Sequence, residues 1–142
     1  LEESVYSLSD AAFRLMLSDA ELLQKAAAGS IRLYANVAGM TGRWRRVGAD
    51  GEVAESSART LPSGYLALMQ RSSAELAASG GCVVQVFELP EIETPSTLNF
   101  DPETLQELSA WGDAKKFFCV SAPCRLGPGD IVLLAPLTLT SG

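Results

Sequence analysis

The stretch YSLSDAAFRLMLSDAELLQKAAAGS (residues 6–30), continued by IRLYANVAGMTGRWRR (residues 31–46), decides how this chain is read. Ser9 has the short oxygen-bearing side chain that caps a helix N-terminus, and Asp10 beside it suits the positive helix end. Ala11, Ala12, Leu15 and Met16 then recur at helical spacing as an apolar stripe. Ser18 opens a second helix, because Glu21 three residues on completes a capping box. Leu22, Leu23, Ala26 and Ala27 supply its inward face, and Gly29 provides a C-terminal stop. So short a link forces a sharp turn between the two helices, which is helix-turn-helix geometry.

Outward from this pair, residues 31–37 alternate as a strand, and residues 43–47 return as a second one. Asp50-Gly51 is a hairpin signal that pairs the second strand with residues 52–56. Strand alternation puts Arg43 and Arg45 on one face and Trp44 and Arg46 on the other. The cluster is the one concentration of positive charge in the chain. A wing bearing these guanidinium groups would rest on a phosphate backbone, whereas a solvated arginine face with Trp44 packed inward is the plainer account.

Beyond it, Ser56-Ser57 and then Leu61-Pro62-Ser63-Gly64 read as an internal boundary, and 65–69 is ambiguous between strand and helix. Ser72 and Glu75 form another capping box, opening an Ala-rich helix that stops at Gly80-Gly81. Residues 82–87 are the clearest buried strand, and residues 90–99 read as a surface loop. Asp101-Pro102-Glu103 starts a helix whose inward face is Leu105, Leu108 and Trp111. Residues 117–120 and 130–135 are apolar strands joined through turn-rich residues 123–129. The fold class expected is α+β: a winged helix-turn-helix-like unit over residues 1–58, then a mixed α/β region over residues 59–142.

Composition narrows the chemistry. The chain has 142 residues, 47% hydrophobic and 20% charged, which suits a folded core and excludes intrinsic disorder. It begins with Leu1, so a processed N-terminus is expected and the first two residues are set aside. No apolar run approaches the ~20 residues of a membrane-spanning helix, and no signal-peptide pattern is visible, so a cytoplasmic protein without membrane partners is expected. The net charge of -6 is the wrong sign for indiscriminate phosphate binding. That acidity is uneven: residues 1–60 hold seven Lys/Arg against eight Asp/Glu, the rest four against nine.

There is no histidine, which removes the commonest general base and metal ligand. Cys82, Cys119 and Cys124 lack paired metal-ligand spacing; Cys82 and Cys119 read as small buried strand residues, and a bridge across a hairpin between Cys119 and Cys124 is disfavoured by reducing cytosol. Asp101, Glu103 and Glu107 read as a solvated acidic helix face, and Gly127-Pro128-Gly129 as a turn rather than a phosphate loop. No catalytic residues, metal ligands or cofactors are expected, and no enzyme.

Residues 5–12, with Leu15, Ser18, Leu22, Gly29 and Ile31, resemble the excisionase and MerR-like winged-helix proteins of bacteria and their phages, and Gly42-Arg43-Trp44-Arg45 is similar to their wing. The likeness covers about a third of the chain. It implies transcription regulation through double-stranded DNA, with Ser18, Gln24 and Lys25 on the recognition helix and Arg43, Trp44, Arg45 and Arg46 on the wing. The second helix departs from that pattern by opening with Asp19 and Glu21, which repel phosphates. Two functions therefore stand as expectations. One is a non-enzymatic bacterial or phage regulator that touches DNA, with a protein partner or self-association through residues 59–142. The other is a protein-interaction module that uses the same fold without DNA.

Overall fold

The computed structural model describes residues 5–62, 64–89, 101–112 and 114–139. Strand β1 (Val5–Ser7) runs straight into helix α1 (Leu8–Arg14). Ser7, not Ser9, caps this helix, its Oγ accepting the Asp10 N–H at 3.1 Å. The earlier start makes Leu8 helical and buries it with Ala11 and Ala12. Ser9 is drawn elsewhere: its hydroxyl donates to Asp19 Oδ2 at 2.9 Å and ties the two helix starts together.

Helix α2 (Asp19–Ala27) opens as its sequence dictates. Ser18 Oγ accepts the Glu21 N–H at 3.1 Å, and Glu21 Oε1 accepts the Ser18 N–H at 2.8 Å. Two orphan donors are thus satisfied reciprocally. Leu22, Leu23 and Ala26 are buried, and Gly29 at φ 86° terminates the helix in the left-handed region.

The chain divides into two compact units that interleave along the sequence: residues 1–35, 68–84 and 125–142 form one, residues 36–67 and 85–124 the other. In the first, α2 packs on helix α3 (Gln70–Ser79). This helix starts ahead of the capping box read at Ser72 and Glu75, with Met69 at its N-cap and no side-chain cap bond. Docking decides the start, because Gln70 Nε2 donates to the Ala27 carbonyl at 3.0 Å and joins the beginning of α3 to the end of α2. Beneath the helices, strand β8 (Ile131–Leu134) pairs antiparallel with β1, Val5 opposite Leu134, and with β2 (Tyr34–Asn36), Ala35 opposite Ile131. The strand expected over residues 31–37 keeps only three of its residues. Leu22, Leu33, Leu68, Leu76, Ile131 and Leu133 fill this core.

The second unit is built on strand β3 (Thr41–Val47), flanked antiparallel by β4 (Val53–Thr60) and β7 (Lys115–Leu126). Strand β4 runs on to Thr60, across Ser56-Ser57, and β7 continues past Pro123 to Leu126 into what reads as a turn, so the turn begins only at Gly127. Helix α4 (Pro102–Ala110) starts at Asp101 as expected, but Thr104 and Leu108 are its buried residues while Leu105 is exposed. Strand β5 (Tyr65–Leu68) resolves the ambiguous segment, and β6 (Cys82–Leu89) is the strand its composition announces. The loop expected over residues 90–99 lies outside the described residues. The architecture is mixed α+β, and no described helix is long and apolar enough to cross a membrane.

Candidate interaction surfaces: the arginine hairpin and the helical corner

Trp44 fixes the geometry of the hairpin. It is fully buried, its ring edge-on to Phe118 with centroids 5.1 Å apart, and Trp44 faces Phe118 across the β3–β7 pair. The alternation read from sequence follows, with Arg43 and Arg45 on the opposite face. Between Arg43 and Arg45 the β3–β4 register shifts, and Ser56 sits in the irregularity. Its Oγ accepts the Trp44 N–H at 2.9 Å and donates to the Ser57 carbonyl at 2.7 Å, so a buried serine repairs the interrupted ladder.

The arginines are engaged by their own strand neighbours. Arg45 grips Glu55 Oε2 through both Nε at 3.2 Å and Nη2 at 2.8 Å, and that bond raises its pKa further above the ordinary arginine value. Arg46 Nη2 pairs with Glu52 Oε1 at 3.4 Å. Arg43 donates from Nη1 to the Ser56 carbonyl at 3.1 Å while the residue remains exposed. Cys119, opposite Arg43 on β7, has its thiol pushed up by burial against the lowering pull of Arg45. Cys119 and Cys124 lie on this one strand rather than facing each other across a hairpin.

The acidic face of α4 also turns out to be partly spent. Arg59 from β4 reaches Glu107 at 2.8 Å and Glu103 at 3.6 Å, clamping helix to strand. A carboxylate pair that reads as merely solvated is thus shared with Arg59 of β4.

On the helix pair the charges are likewise assigned. Ser18 is committed to the cap, Asp19 to Ser9, and Glu21 to Ser18, whose backbone N–H and then side chain hold the Glu21 carboxyl below its usual pKa. Gln24 and Lys25 stand exposed on α2. The helix pair belongs to the first unit and the arginine hairpin to the second.

What sequence reasoning missed is the corner joining α1 to α2. Met16, counted above as part of the inward stripe, is 91% exposed, and Phe13 one turn earlier is 84% exposed. The helix ends at Arg14, so the 3.6-residue period does not reach position 16. Met16 instead takes φ 61°, a left-handed conformation an unbranched non-glycine residue enters at a cost, with its N–H donated to the Phe13 carbonyl at 3.1 Å. Arg14 folds back over the Tyr6 ring at 4.8 Å, away from the apolar pair. The signal was present: Phe13, Leu15, Met16 and Leu17 crowd four apolar residues into five positions, more than one helical face can hold. Comparison of the chain with protein-family models, with curated proteins and with solved structures finds no match.

Proposed function

We propose that this chain is a non-enzymatic protein-interaction module whose α1–α2 corner grips the partner. The observation that carries the reading is Phe13 and Met16 presented together to solvent on a turn held in a left-handed backbone. Large apolar side chains exposed as a pair mark contact surfaces, and strain kept at such a point accords with a functional use. The rim is acidic: Asp10, Asp19 and Glu21 are exposed beside the corner. The complementary partner is a protein with an apolar pocket edged by Lys or Arg, the charged edge steering encounter and the pocket taking the two anchors. The absence of histidine from the sequence supports the non-enzymatic part.

A photo-crosslinking phenylalanine analogue at position 13 of the full chain tests this in the native cell. A discrete protein adduct is expected, mapped to an apolar pocket with basic neighbours and lost in the Met16→Ser background. No adduct, or one unaffected by Met16→Ser, overturns the proposal.

A second reading, the helix-turn-helix-like DNA contact, is supported by exposed Gln24 and Lys25 on α2 and by Arg43, which has no carboxylate partner among the described residues. It predicts duplex affinity that falls steeply with salt and weakens on Arg43→Ala plus Arg45→Ala. Against it, Arg45 and Arg46 must each release a carboxylate before meeting a phosphate.

A further inference from the structure

The first unit contains a cleft of about 440 Å³ between the loop that follows α2, the start of α3 and the end of β8. Its floor is core, with Leu33 0% and Leu68 2% exposed. Ile31 and Leu134 stand half-buried on the walls, so apolar surface is left facing water. Among the described residues no Asp or Glu lines it. Lys25 and Arg71, chain neighbours of the lining residues Ala26 and Gln70, are both exposed and make that end of the unit basic.

The α1–α2 corner carries the opposite of each feature. Phe13 and Met16 protrude, and Asp10, Asp19 and Glu21 are exposed around them. Arg14, the cation nearest in the chain, folds over the Tyr6 ring instead. Corner and cleft lie at opposite ends of α2, whose nine residues span about 13 Å, so one copy does not seat its own corner in its own cleft. Two copies meet no such limit. A chain of net charge -6 repels its copies on average, but an orientation that brings the acidic end of one to the basic end of the next reverses the local sign.

We propose that the cleft of one copy receives the α1–α2 corner of another, which makes a second copy of this chain the partner. The inference rests on the reading of the corner as the gripping surface. Phe13 and Met16 lie against Ile31, Leu33 and Leu134, while Asp19 and Glu21 approach Lys25 and Arg71. Because the two patches differ, the contact is heterologous: each docked pair keeps one open corner and one open cleft, and growth runs head to tail. A contact of this small size binds weakly, with a dissociation constant on the order of 100 µM.

Sedimentation velocity of the full chain, from about 10 µM to about 1 mM, reads the assembly, and the mean sedimentation coefficient should rise across that range. Phe13→Ser plus Met16→Ser disables the corner at exposed positions, and Thr138→Trp fills the cleft from an exposed lining position. Each variant should stay monomeric and keep the parent's circular dichroism. Their equimolar mixture holds one intact corner and one intact cleft, so it should form a dimer and nothing larger. Lys25→Glu plus Arg71→Glu should weaken assembly of the parent about tenfold. A photo-crosslinking phenylalanine analogue at position 13 of the purified chain gives a second measurement, with a chain-to-chain adduct expected at residues 29–34 or 134–138. A parent still monomeric at about 1 mM, assembly that survives either variant, a mixture that does not dimerise, or an adduct elsewhere on the chain overturns the proposal. If the purified chain stays monomeric while position 13 marks another protein in the cell, self-docking falls and the corner reading stands. No adduct in either setting removes both.

Discussion

The β3–β4 hairpin carries Arg43, Arg45 and Arg46 within four residues, and the α1–α2 corner carries Phe13, Leu15, Met16 and Leu17 within five. Read as composition, the hairpin is the sticky element and the corner is core. In the folded chain the roles reverse. The hairpin buries its tryptophan, and two of its three guanidinium groups are held by Glu55 and Glu52. The corner leaves two large apolar side chains in water on a strained backbone. Concentrated charge is not available charge when opposite charges stand across the strand pair, and an apolar residue is not a core residue when the helix ends before its period reaches it.

The largest expected effect tests how firmly the hairpin is anchored. Trp44→Ala removes a fully buried indole packed edge-on against Phe118. A loss of roughly 3–5 kcal/mol is expected, a large part of a small domain's total stability. Urea denaturation read by circular dichroism measures it. A cost below about 1 kcal/mol would show that the hairpin does not depend on this contact, and the contrast with the corner would lose its basis.

Legibility followed the range of the forces involved. The second helix was readable because Ser18, Glu21 and Gly29 settle its ends within a few residues by local hydrogen bonds and a left-handed stop. The same was true of α4 at Asp101-Pro102 and of the hairpin face containing Trp44. Reading failed where distant partners outbid local ones. Gln70 docks on Ala27 and starts α3 before its apparent capping box, and the pairing of β8 with both β1 and β2 leaves only Tyr34–Asn36 as strand. The arginine partners Glu55 and Glu52 were in view as residues, but only the registered strand pair brings them across. The cleft beside Arg32 draws its walls from three separate stretches of chain, so no local pattern announces it.

A middle-sized effect isolates the strain at the corner. Glycine enters the left-handed region without the Cβ clash that Met16 bears, so Met16→Gly relieves that cost while loosening the unfolded chain. A net gain of about 0.5 kcal/mol is expected, together with loss of the partner adduct formed through position 13. Thermal unfolding and crosslinking measured on one preparation give both values. Stability rising while binding falls is the signature of strain retained for contact. A destabilised variant would instead mean that the methionine side chain contributes to the fold.

The smallest change in stability carries the sharpest question about the hairpin. Glu55 and Arg45 are both close to half exposed, and Glu52 is more exposed still. Ion pairs in such positions are worth ~0–1 kcal/mol each, so Glu52→Gln plus Glu55→Gln should cost less than about 1 kcal/mol. The substitutions move the net charge from -6 to -4 and leave both guanidinium groups without their carboxylates. If only those carboxylates keep the hairpin from nucleic acid, the variant should acquire duplex affinity at low salt where the parent shows little. The slope against salt should then correspond to about two or three released counterions, because only Arg43, Arg45 and Arg46 contribute. Adding Arg45→Ala should reduce that slope by about one. Fluorescence anisotropy on a random-sequence duplex gives both numbers. A variant that stays off DNA even at low salt would show that the hairpin's shape, and not merely its pairing, is unsuited to a phosphate backbone, leaving the exposed Phe13 and Met16 as the better-supported contact surface.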